Sequence, residues 1–275
     1  MTRPPYLLDV PAEEYHAATK RNEYTTSHRL NLFRRCPALY RKTVTGEIVE
    51  GDTAAFQMGR AVHVLILERE RFSHEYLVAD GPVNPKTGNP YGRETRAFKD
   101  WAEAQTMPVV PTADHALMLK LAEAVHAHHA AADILKAGFA EATVRATWDG
   151  EPVQARLDWF DPERGILADL KTCADVDRFP FDVRDFGYVP QLAFYKRVLE
   201  LAGYAGPRIR AYLIAVEKRE PFRVAVVELY EMTLEDGNSA EDSKFGAGNN
   251  WVMAELLRCR AEDVWPTRYE ETLHI

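Results

Sequence analysis

Cysteine is scarce in this chain: three residues in 275, at Cys36, Cys173 and Cys259. Thiols this far apart cannot make a four-cysteine zinc or iron–sulfur site by themselves. Their odd number argues against a disulfide framework. A reducing cytoplasm is the expected compartment. No apolar run reaches the roughly 20 residues that a membrane-spanning helix needs. The opening stretch MTRPPYLLDVPAEEYHA has no long apolar core, so no signal peptide is expected. Internal repeats and low-complexity segments are missing too. So are GxxxxGK(S/T), GxGxxG and GxSxG, which leaves nucleotide-loop and serine-hydrolase chemistry without support. There is no basic excess either. The net charge of −8 excludes a simple DNA-coating protein, although a local basic track remains open.

What is present is ordinary for a globular protein: 46% hydrophobic and 28% charged residues, in a length that builds a sizeable core. Short helices are expected through DVPAEEYHAATKRNEYTTSHRLNLFRRCPALYRK, with Thr26 or Ser27 as an N-cap and Pro37 restarting a helix. The same region holds Arg29, Arg34, Arg35, Arg41 and Lys42 with no acid between Tyr24 and Gly46, a candidate phosphate track. TAAFQMGRAVHVLILERERF reads as a buried helix. A Gly/Pro/Asn-rich loop follows, then helices near Glu94–Gln105 and Thr112–Leu135.

The spacing next predicts strands. ATVRATWDGEPVQARLDWF alternates on both sides of Asp149-Gly150, a hairpin signal. ILADLKT follows the DPERG turn as a third strand. PQLAFYKRVLELAG is a helix. RIRAYLIAV and FRVAVVEL are two more strands, and NNWVMAELLRCRAED is a closing helix. The sum is an α/β or α+β fold with a sheet of about five strands flanked by helices. We expect one domain over 1–275: a helical part at 1–140, a sheet core at 141–230 and a closing helix at 247–263.

Charge inside the third strand points to chemistry. Asp169 and Lys171 share a face, about 7 Å apart at the Cα atoms, while Leu170 faces the apolar layer with its carbonyl between them. Asp158, on the preceding strand, is expected to pair with Asp169 or lie one diagonal off. Two neighbouring carboxylates repel unless a cation holds them. Asp158, Asp169 and the Leu170 carbonyl supply hard oxygens suited to Mg2+. His63 stands mid-helix in GRAVH, one turn after Gly59. As a ligand it would add a nitrogen that Mn2+ tolerates better than Mg2+. Gln191 and Tyr195 are four apart on one helix face. His126, His128 and His129 read as surface residues. Glu141 reads as a solvated edge residue, with a second metal as its other role.

The ordered set His63, Asp158, Asp169-Leu170-Lys171 and Gln191-x-x-x-Tyr195 resembles the PD-(D/E)xK nuclease superfamily. Within it the set resembles the recombination-exonuclease branch of exodeoxyribonuclease VIII and its phage-encoded relatives. The likeness extends over roughly residues 10–270. It implies a restriction-endonuclease-like core with a mixed central sheet, metal ligands at His63, Asp158 and Asp169, a catalytic lysine at Lys171, and Gln191 and Tyr195 on the following helix. It also implies Mg2+-dependent digestion of double-stranded DNA ends, 5′ to 3′. The 3′ overhang would serve a single-strand annealing partner, and the enzyme would be a ring-shaped homo-oligomer. Two departures stand out: Leu157 replaces the proline of the family name, and the second acid is Asp169 rather than Glu. Two other tasks fit the same residues: a single-strand or repair nuclease, and a DNA-end-binding subunit without chemistry.

Overall fold

The computed structural model describes residues 2–49, 51, 54–243, 246–268 and 270. The chain opens with three short helices, α1 (Ala12–Lys20), α2 (Ser27–Arg35) and α3 (Pro37–Val44). The Thr26 side chain caps α2 by accepting from the Arg29 amide, and Pro37 starts α3, both as expected. The next helical stretch is two helices, α4 (Ala54–Leu67) and α5 (Arg69–Glu75), which break at Glu68. Thr53, where that stretch was expected to begin, lies outside the described residues.

A small parallel pair, β1 (Leu77–Val78) with β2 (Val109–Val110), brackets the Gly/Pro-rich loop and α6 (Arg96–Glu103). The long helix expected up to Leu135 is divided into α7 (Thr112–Ala127) and α8 (His129–Ile134). At the break, His128 Nδ1 accepts from the Ala131 amide and so caps α8.

Five strands make the central sheet: β3 (Phe139–Trp148), β4 (Glu151–Asp161), β5 (Ile166–Cys173), β6 (Arg210–Glu217) and β7 (Val224–Leu229). They lie in chain order, and only β5 and β6 run parallel. The crossover between those two consists of α9 (Phe179–Asp185) and α10 (Tyr188–Leu201). After the sheet come α11 (Glu231–Gly237), the short β8 (Asp242–Ser243) and β9 (Gly246–Ala247), and α12 (Asn249–Glu262). This is the α+β architecture expected, with a mixed five-stranded sheet. The hairpin turn is where the sequence put it, with Asp149 and Gly150 at φ 50° and 86°.

Alternation along the strands builds two apolar layers. Ile166, Ala168 and Leu170 of β5, with Tyr212, Ile214 and Val216 of β6, pack with Ala61, Val62, Leu65 and Ile66 of α4 and with α7. Leu167 and Cys173, with Ala211, Leu213 and Ala215, face the other layer, where α10 and α12 lie. There Trp148 stacks on Phe194 at 5.7 Å, an aromatic pair that contributes about 1 kcal/mol beyond area burial.

One irregularity places the site. Strands β4 and β5 pair only at Trp159–Ala168, Phe160–Leu167 and Asp161–Ile166. Beyond Trp159 they splay apart, β4 staying with β3 and β5 with β6. Asp158 and Asp169 stand at the point of divergence.

Candidate metal centre and active site

Asp158 fills the gap that the splay opens. Its Oδ2 accepts from the Leu170 amide at 2.8 Å, so a carboxylate replaces the missing ladder bond. The same oxygen is 3.4 Å from His63 Nδ1, which α4 brings in across the sheet. A Cβ on Gly59, one turn earlier, would meet nothing within 4 Å, so that face of the helix is open as expected.

Glu141 completes the group, and here the sequence reading needs correcting. Glu141 is not a solvated edge residue. Its side chain is only 14% exposed, and Arg156 Nε donates to its Oε2 at 2.6 Å. It stands opposite Asp158 in the hairpin, where the β3–β4 pairing skips one position. Its backbone is left-handed, φ 49°, a conformation that non-glycine residues adopt at a cost and that turns the side chain off the regular alternation. Ligand atoms of His63, Glu141 and Asp158 all lie within 4.8 Å of one another.

Asp169 and Lys171 share the other face, as expected. Asp169 is 1% exposed. Its Oδ2 is in ion-pair contact with Lys171 Nζ. Its Oδ1 accepts from Gln191 Nε2 at 3.2 Å, and Gln191 also donates to the Tyr195 hydroxyl at 2.8 Å. Contacts thus run from His63 to Asp158, from Asp158 to the Leu170 amide, and from Lys171 through Asp169 and Gln191 to Tyr195. Tyr188, which the sequence reading passed over, lies under the lysine, its ring centroid 4.8 Å from Lys171 Nζ.

Burial governs the electrostatics. It pushes the Asp169 carboxyl up to about 6, Lys171 pulling the other way and Asp158 adding to the rise. Burial also raises Asp158 against the pull of Lys171. Glu141 is raised by burial and by the Asp158 charge. His63 is pushed down by burial and then by Lys171, which keeps the imidazole neutral near pH 7 with a lone pair to offer. Burial lowers Lys171, but Asp169 and Asp158 outweigh it and the net shift is upward.

These residues fit a divalent cation. Three neighbouring carboxylates held above their ordinary range are relieved by positive charge. The donor set is oxygen-rich with one imidazole. The Leu170 backbone adjoins His63 and weakly opposes the downward shift of its imidazole.

The basic track needs a second correction. Arg34 does not face solvent: Nε donates to the Ala247 carbonyl at 2.7 Å, Nη2 to Asn249 Oδ1 at 2.8 Å, and Nη1 to Asn31. It ties α2 to α12. Arg35, Arg41 and Lys42 remain exposed.

Among known structures, the chain is similar to a crystal structure of a protein from Eubacterium rectale provisionally named as an exonuclease. The TM-score is 0.65 at 14% identity, covering 98% of this chain and 96% of the other. At that identity the likeness concerns the fold. No curated protein sequence matches the chain. The sequence matches, over residues 27–272, the family described as "PDDEXK-like domain of unknown function (DUF3799)". The chain therefore belongs to that family, within the PD-(D/E)xK nuclease superfamily.

Proposed function

We propose that the protein is a divalent-metal-dependent nuclease that digests double-stranded DNA from its ends, 5′ to 3′. One observation supports the metal-dependent nuclease chemistry: His63, Glu141 and Asp158 converge within 4.8 Å, next to the Asp169–Lys171 pair; the duplex ends and the polarity rest on the resemblance to recombination exonucleases. His63, Glu141, Asp158, Asp169 and the Leu170 carbonyl would hold one or two ions, Mg2+ with Mn2+ as a substitute. A bound ion supplies Lewis acidity toward a phosphate oxygen and a lower pKa for water.

The chain's own groups do the rest. Lys171, kept protonated by two carboxylates, faces the charge that builds on the phosphate as water attacks phosphorus and the P–O3′ bond breaks. The 3′ oxygen leaves with a proton, and the product carries a 5′-phosphate. Gln191 holds Asp169 in orientation and is itself held by Tyr195. The whole chain would act as one nuclease domain, with residues 1–140 supplying His63 and residues 141–230 the acids and the lysine.

The resemblance to recombination exonucleases supports further parts of the reading: a ring-shaped homo-oligomer, a 3′ overhang and a single-strand annealing partner; the three scattered cysteines support a cytoplasmic setting. Among the described residues no helix is long and apolar enough to cross a membrane. The test is end-labelled linear duplex with and without Mg2+. The expected result is Mg2+-dependent loss of the 5′ label with the 3′-ended strand left long. Preference for single strands would move the protein to another branch. Binding of ends without cleavage would make it an end-binding subunit.

A further inference from the structure

The aromatic chain that starts in the core beneath Lys171 does not stop at Tyr188. Phe179 is buried and lies 6.0 Å from the Tyr188 ring; Phe186 lies 5.8 Å from the same ring and is 62% exposed. The three rings lead from the core, past the lysine, to solvent.

Phe186 is not on a loose loop. It ends α9, its amide bonded to the Asp182 carbonyl at 2.9 Å, and it directly precedes Gly187. Gly187 is left-handed at φ 68°, and a Cβ there would come within 3.2 Å of Asn31. That turn also starts α10, the helix of Gln191 and Tyr195. A large apolar ring is thus held outward by the same turn that positions the site. The Tyr188 ring lies 4.8 Å from Lys171 Nζ, so one cation–ring contact and one ring-to-ring step lead from the lysine to solvent.

We propose that Phe186, backed by Tyr188, is a stacking platform for an unpaired nucleobase at the strand end whose phosphate reaches Lys171. It is a substrate-positioning residue, and the proposal rests on the nuclease reading above. Aromatic faces stack on any base, so the platform would be indifferent to sequence. It would favour frayed ends, whose bases are already unstacked.

The test compares wild type with Phe186→Ala and Phe186→Trp on two labelled duplexes, one with an ordinary terminal nucleotide and one with an abasic terminus. Because the ring is exposed, all three proteins should melt together. The expected result is a roughly 10-fold loss of end cleavage for Phe186→Ala on the ordinary end, recovery with Phe186→Trp, and no difference between variants on the abasic end. A terminal 2-aminopurine should be quenched on binding to wild type and not to Phe186→Ala. Equal cleavage of both ends by all variants would overturn the proposal and leave the nuclease reading standing. A changed oligomeric state in Phe186→Ala with unchanged cleavage would overturn it in favour of a contact between copies. A wild type that cuts neither duplex would remove the nuclease reading and this proposal together.

Discussion

The Leu170 amide donates to Asp158 Oδ2 at 2.8 Å, across the gap where β4 and β5 part. One carboxylate thus has two duties, closing the sheet and facing the candidate cation. The two separate by substitution. Asp158→Asn keeps an oxygen for the amide but loses the charge. Its melting temperature should stay near wild type, while cleavage falls by about a hundredfold or more. Asp158→Ala strands a buried N–H and should lose about 1–3 kcal/mol of stability as well. Thermal melts beside activity assays check both.

Lys171 competes with a metal for the same acids. Lys171→Met should abolish cleavage and at the same time tighten divalent-cation binding, because Asp169 and Asp158 lose their resident positive charge. Titration calorimetry with Mn2+ reads the affinity. Weaker binding in the variant would mean that the lysine helps to build the cation site rather than opposing it.

The residues that came through from the sequence are those whose geometry is set by short-range rules. Asp169 and Lys171 share a face because strand side chains alternate. Gln191 and Tyr195 meet because helix neighbours four apart do. Glu141 reads from the sequence first as a solvated edge residue and only second as a metal ligand, although the information is there. The Asp149-Gly150 turn pairs Trp148 with Glu151, and counting outward from that pair sets Glu141 opposite Asp158. Its inward direction, by contrast, depends on a left-handed backbone that no local pattern announces. Arg34 shows the opposite limit. Its partners Ala247 and Asn249 are over two hundred residues away, and only the packing of α12 on α2 reveals that it is structural.

That placement changes which arginines test DNA binding. Arg34→Glu should lower the melting temperature, since it puts a carboxylate against the Ala247 carbonyl and Asn249. Charge reversal at Arg35, Arg41 and Lys42 together should leave the fold intact and weaken binding to duplex ends. The log–log salt slope should flatten by about one for each lost phosphate contact. Unchanged binding across salt concentrations would remove this face from the track.

The pH dependence follows from the raised carboxylates. Asp169 is near 6 in the fold and close to 3.8 when unfolded. Its contribution to stability is therefore fully present below about pH 4 and is lost as pH rises through 6. His63 runs the other way, its contribution present above the ordinary imidazole pKa and lost as pH falls. A cation that replaces the protons on the acids should stabilise more at pH 8 than at pH 5. Melting curves with and without Mg2+ at the two values check this, and an equal gain at both would contradict it.

The central claim is a shared cation among His63, Glu141 and Asp158, and its most direct test is a crystal grown with Mn2+ and examined by anomalous scattering. The account predicts a peak between His63 Nδ1 and the Glu141 and Asp158 carboxylates, on the Asp169 side, and no such peak in Asp158→Asn. A peak held elsewhere, or a site that stays dark at saturating Mn2+ while the protein still cuts DNA, would contradict it.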